Sequence, residues 1–91
     1  MDVRIPPHNE EAEKAVLGAL LTDGSSTGIA VDTVTSIVQR DDFYRDTHRI
    51  IYDAILSLVY ANKTIDFITL SEELERRKKL DTIGGIAYIT S

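Results

Sequence analysis

The chain has 91 residues, 43% of them hydrophobic and 27% charged, with a formal net charge of −5 and no cysteine. That describes one small globular domain, able to bury about 60 to 65% of its unfolded surface. Disulfides and thiolate metal sites are excluded, as are a bilayer span of roughly 20 apolar residues and a signal peptide, and the acidic balance opposes phosphate binding.

Protein partners in a cytoplasmic setting are therefore the first expectation, with no membrane. At the N-terminus, Pro6 and Pro7 set an extended entry. Asn9 then stands as the cap of a first helix, whose opening turn carries Glu10, Glu11 and Glu13 toward the positive end of the dipole. Ala12, Val16, Ala19 and Leu20 recur at helical spacing as its buried stripe, and Asp23-Gly24 supply its stop. Gly18 lies inside this helix, where glycine costs about 1 kcal/mol relative to alanine; it is read as a point of close approach by another helix.

The small-residue loop Gly24 to Gly28 lacks the lysine that a phosphate cradle needs after its second glycine, and so reads as a turn. Ile29 to Val38 is rich in β-branched residues, yet Ala30, Val34, Ile37 and Val38 fit the i, i+4, i+7, i+8 template. Strict alternation would instead place Asp32 and Ser36 on the face of Val34, so a second helix is expected.

From Asp41 the pattern sharpens. Asp41 and Asp42 precede the aromatic pair Phe43-Tyr44, and the following helix carries Ile51, Ala54, Ile55 and Leu58 on one face as the central packing element. Asn62 and Lys63 end it. Asp66 then caps a further helix, with Ile65 and Leu70 at the N′ and N4 positions of a hydrophobic staple; Thr69 with Glu72 offers a rival capping box. Either start turns Leu70 and Leu74 inward. The closing cations Arg76 to Lys79 suit the negative end of the dipole and read as a solvated helix end.

No set of residues for chemistry emerges. His8 and His48 lie on different elements without metal-ligand spacing. His48 reads as a helix-surface or core contact. The pairs Glu10-Glu11 and Glu72-Glu73 are adjacent on helices, where consecutive side chains diverge by about 100°, so they read as dipole partners and solvation. No nucleophile elbow, nucleotide fingerprint or activated cysteine occurs. Catalytic, cofactor and metal residues are therefore expected to be none.

Three ordered blocks carry a resemblance: "RIPPHNEEAEKAVLGALL", Arg4 to Leu21; "DDFYRDTHRIIYDAIL", Asp41 to Leu56; and "TIDFITLSEELERRKKLDTIGGIAYIT", Thr64 to Thr90. In this order they resemble the N-terminal domain of bacterial replicative DNA helicases of the DnaB family. The resemblance implies an all-α fold, a small orthogonal bundle of about five helices. It also implies that residues 1–91 form the collar of a hexameric ring, a non-catalytic domain that helps the ring assemble and contacts primase and the helicase loader.

ATP, Mg2+ and most DNA contacts then belong to the parent's C-terminal RecA-like domain, beyond a helical hairpin and linker. Tyr88, just after the double glycine Gly84-Gly85, is the candidate partner-contact residue, with a core tyrosine under the last helix as its alternative. Two departures from the family pattern stand out: Arg40 sits where the family often has proline, and the 24–35 region looks a few residues longer. Ile86 and Ile89 need a cover that no later residue provides, so the chain is expected to be a fragment. Two other readings remain, a helicase-binding domain of a primase and a small helical DNA-binding module.

Overall fold

A computed structural model describes residues 9–23, 29–85 and 87–88, apart from the side chains of residues 22–23 and 29–30. The proline entry, His8, the 24–28 loop, the side chain of Ala30 and both Ile86 and Ile89 therefore lie outside the described residues. Four α-helices follow in order: α1 Glu10–Asp23, α2 Ile29–Ile37, α3 Asp46–Tyr60 and α4 Phe67–Arg76, with a 3₁₀ turn over Arg40–Asp42. The all-α expectation holds, with four α-helices and one tighter turn among the described residues rather than about five helices.

Helix α1 starts where its cap dictates, for the Ala12 N–H donates to Asn9 Oδ1 at 2.9 Å. Its buried face is Glu13, Leu17, Leu20 and Leu21; of the expected stripe Leu20 is fully buried, Val16 packs partly buried against the core and Ala12 is partly buried. Ala19 is exposed. Both sets obey the helical period, and what selects between them is where the neighbouring helices lie. Gly18 needs the same correction. No described residue outside its own helix backbone lies within 4 Å of where a side chain would sit, so close approach by a described helix does not account for the glycine.

In α2 the inward residues are Val31 and Val34, continued by Val38 just past the helix. Ile37, expected inside, is 51% exposed. The end of α2 is held from across the molecule: the buried Tyr52 of α3 donates its hydroxyl to the Val38 carbonyl at 2.6 Å. Burial pushes that phenol up to about 12, so it remains a donor at any physiological pH. Arg40 opens the 3₁₀ turn, and its guanidinium Nε donates to Asp53 Oδ2 of α3 at 2.6 Å. At this position, where proline would only preset the backbone, arginine adds a tie to the central helix.

The face of α3 is as expected, with Ile51, Ala54, Ile55 and Leu58 all buried and Tyr52 beside them. Its end wraps into a left-handed residue, Asn62 at φ 58°, with Lys63 N–H donating to Leu58 O and Asn62 N–H to Val59 O. Helix α4 takes the Asp66 start. Thr69 N–H donates to Asp66 Oδ1 at 2.8 Å while Asp66 N–H donates to Thr69 Oγ1 at 3.0 Å, so Thr69 closes this box instead of opening its own. Ile65 and Leu70 are both fully buried, as a hydrophobic staple requires.

Candidate interaction site around Tyr88

Residues Leu80 to Gly85 close a turn, in which Gly85 N–H donates to Leu80 O and Gly84 N–H to Asp81 O. Both glycines are left-handed, Gly84 at φ 100° and Gly85 at φ 76°, a conformation that costs other residues roughly 1 to 2 kcal/mol. This turn delivers Tyr88 to the junction of α1 and α3. The Tyr88 ring is half-buried against the core, with the Lys14 ammonium 4.9 Å from its centroid.

Beneath it lies a pair of polar side chains closed off from water, Glu13 of α1 and His48 of α3. His48 Nδ1 stands 2.7 Å from Glu13 Oε1, and His48 Nε2 stands 2.6 Å from Tyr88 Oη. The carboxylate can only accept, so Nδ1 carries a proton and donates it to Glu13. In the neutral ring Nε2 is then the acceptor, and the Tyr88 hydroxyl donates to it. Burial pushes the Tyr88 phenol up, which keeps it a donor.

Glu13 accepts twice more, from the backbone N–H of Tyr44 at 2.9 Å and of Arg45 at 3.4 Å. Burial drives its carboxyl up, but the hydrogen bonds from His48, Tyr44 and Arg45 outweigh that and hold it below its ordinary value. Glu13 thus caps the start of α3 from another helix, and is no exposed dipole partner. Outside this buried pair, Arg45 Nη1 reaches Glu10 at 3.0 Å and reinforces the same junction.

The second polar centre is Glu73, read from sequence as a solvated residue but buried in the structure. Arg76 and Arg77 both donate to its carboxylate, at 3.1 Å and 2.7 Å through their Nε atoms. Arg77 also donates to Ser57 Oγ of α3. Arg76, Lys78 and Lys79 are exposed, as a solvated helix end requires, while Arg77 is partly buried and serves as an internal clamp. A surface groove of about 440 Å³ lies beside them, lined by Arg40, Asp46, Ile50, Asp53, Arg77 and Lys79. Among the described residues no group of three or more His, Cys, Asp or Glu could hold a metal ion.

Tyr88 was legible as a candidate because it follows a double glycine, and the structure seats its hydroxyl inward on His48. Its partners were not legible. Glu13 and His48 lie 35 residues apart, and Tyr88 a further 40 beyond His48.

The DnaB-like helicase N-terminal domain family matches residues 5–91. The chain belongs to that family. It is 40% identical over 87 residues to the replicative DNA helicase DnaB of Buchnera aphidicola subsp. Schizaphis graminum, and 42% identical over 88 residues to that of Treponema pallidum. These alignments cover 96% and 97% of this chain but 18% and 19% of the helicases, so the chain spans less than a fifth of the relatives it matches. The crystal structure of the N-terminal domain of DnaB helicase from Mycobacterium tuberculosis superposes with a TM-score of 0.82 at 37% identity, covering 94% of this chain and 57% of that one. A DnaB-like N-terminal domain is thus the setting of the Glu13, His48 and Tyr88 junction. No helix among its described residues is long and apolar enough to cross a membrane.

Proposed function

We propose that this chain is the collar domain of a replicative DNA helicase and acts through protein contacts, without catalysis of its own. The family match over residues 5–91 carries the reading, and the polar geometry supports it. Among the described residues the buried polar groups are structural: Glu13 and His48 join α1 to α3, and Glu73 holds Arg76 and Arg77 at the end of its own helix. In the cytoplasm, residues 1–91 would help a hexameric ring assemble and would offer a surface to primase and to the helicase loader, with Tyr88 contributing to the primase contact. A helical hairpin, a linker and a RecA-like domain would complete the parent, and that last domain would bind ATP and Mg2+, contact DNA and unwind it.

Sedimentation and primase titration test this on two forms, the 91-residue chain and the same chain extended by its native downstream residues. The short form should be mostly monomeric at low concentration, because an interface stripped of half its area still carries the full cost of immobilising two bodies. The longer form should self-associate and bind the cognate primase. Tyr88→Ala in the longer form should weaken primase binding while leaving the helix content unchanged. A longer form that stayed monomeric, ignored primase and bound duplex DNA with steep salt dependence would move the reading to a DNA-binding module.

A further inference from the structure

Helix α4 has two faces of different kind. Inward it sets Leu70 and Leu74, both fully buried. Outward, Ile68, Glu72 and Glu75 recur at i, i+4 and i+7 and form one exposed stripe. Ile68 is 69% exposed on the side away from the core, with Phe67 before it at 41%. Ser71, beside the stripe, donates its hydroxyl to the Phe67 carbonyl at 2.7 Å, so a small side chain with its donor already satisfied stands there. The two carboxylates lack the partners that helix spacing would give them. Arg76, four residues after Glu72, is committed to Glu73 through Nε and Nη2. Lys79, four residues after Glu75, lies beyond the left-handed Lys78 that follows the helix, out of register with it. Lys63 lines a groove with Glu72, and Lys78 one with Glu75, yet neither carboxylate makes an ion pair with a described residue. Glu75 also stands in the last turn, where the helix dipole disfavours a carboxylate. The stability of this chain therefore accounts for neither the acidic pair nor the exposed isoleucine.

We propose that this face of α4 docks a helix of another protein, one that sets an aliphatic residue against Ile68 over Ser71 and carries arginine or lysine one to two turns on to meet Glu72 and Glu75. Charge decides the occupant. A second copy of α4 would bring four carboxylates together, which like-charge repulsion disfavours, whereas a chain of net charge −5 draws a cationic partner. An apolar anchor followed by charges at one-turn spacing is how a helix is read along its length. The proposal rests on the reading above only in taking the chain for a contact domain. Its probes are not primase, so its failure would leave the primase titration standing.

Amide chemical-shift mapping on the isotope-labelled 91-residue chain tests this with two blocked, alanine-based helical peptides. One carries leucine and arginine one turn apart, and the other has glutamate in place of arginine. The arginine peptide should shift the amides of residues 67–76 and bind weakly, as a face this short requires; the glutamate peptide should not bind. Ile68→Ser and the double variant Glu72→Gln/Glu75→Gln should each weaken binding roughly fivefold or more, with far-UV circular dichroism unchanged. Salt at about 0.5 M should erase the difference between the double variant and the wild type but leave that of Ile68→Ser. Glu11→Gln/Asp32→Asn removes the same charge from exposed positions on α1 and α2, and should keep binding within about twofold of wild type. Shifts centred away from α4, a control pair as damaging as the α4 pair, or Ile68→Ser binding like the wild type would overturn the proposal. So would a wild-type dimer in sedimentation that Ile68→Ser dissolves, since the occupant would then be a second copy.

Discussion

Glu13 is a point at which three polar bonds from distant parts of the chain converge. It is fully buried, and it accepts from one imidazole and two backbone amides. Truncating it leaves three donors facing a cavity, and unsatisfied buried donors cost about 1 to 3 kcal/mol each before any relaxation. Glu13→Ala should therefore destabilise the chain by about 3 kcal/mol or more in urea melts. Glu13→Gln keeps one acceptor oxygen but turns an NH2 toward a donor, and should fall between the two. An alanine variant within roughly 0.5 kcal/mol of wild type would mean that the junction is held by apolar packing alone. Sequence reading grouped Glu13 with Glu10 and Glu11, since helix position treats all three alike. A local sign did exist: Glu13, Leu17, Leu20 and Leu21 fit the i, i+4, i+7, i+8 template as soon as one member is allowed to be polar. Only its distant partner His48 explains why that face is the buried one.

At the level of the elements, what was legible was what is decided locally. The Asn9 and Asp66 caps, the Ile65–Leu70 staple and the stop at Asn62 each depend on residues within a few positions of one another, and all are present. The faces of α1 and α2 were less legible, because both helices are apolar on more than one side and Ile37 satisfies the period as well as Val31 does. One local feature did escape: α4 ends in a wrapped turn with Lys78 at φ 59°, where Lys79 N–H donates to Leu74 O and Lys78 N–H to Glu75 O. That position ordinarily takes glycine. Lys78→Gly should thus raise stability by about 0.5 to 1 kcal/mol despite the flexibility that it adds to the unfolded chain. Lys78→Ala should stay within roughly 0.5 kcal/mol of wild type, since it keeps the strained Cβ and removes only an exposed side chain. Asp66→Ala should cost about 1 kcal/mol through the lost cap. A thermal or urea series that ranked Lys78→Gly below Lys78→Ala would show that the left-handed turn does not persist in solution.

Across the whole molecule, α3 is the hub, and the two buried carboxylates stand at opposite ends of the helical layout around it. Glu13 joins α1 to the start of α3, while Glu73 gathers Arg76 and Arg77, the latter reaching Ser57 on α3. Hydrogen bonds from Arg76 and Arg77 hold the Glu73 carboxyl at about 2, against the opposing pull of burial. Glu13 is lowered as well. An unfolded glutamate titrates near 4.5, so between that pH and the depressed native values the unfolded chain binds more protons than the folded one, and stability must fall as pH falls. Both contributions are complete above about pH 5 and are lost as pH falls below it, that of Glu73 toward pH 2. Thermal melts should accordingly show a Tm nearly level from pH 7 to pH 5 in these two groups' contributions, then a steep decline below pH 4.5. Glu73→Gln has no proton to bind there. It should start from a lower Tm at pH 7 and decline less steeply, so that the two curves converge toward pH 2. Parallel curves for the variant and the wild type would show that Glu73 titrates in the folded chain as it does in the unfolded one, and that the guanidinium clamp seen around it contributes nothing to acid sensitivity.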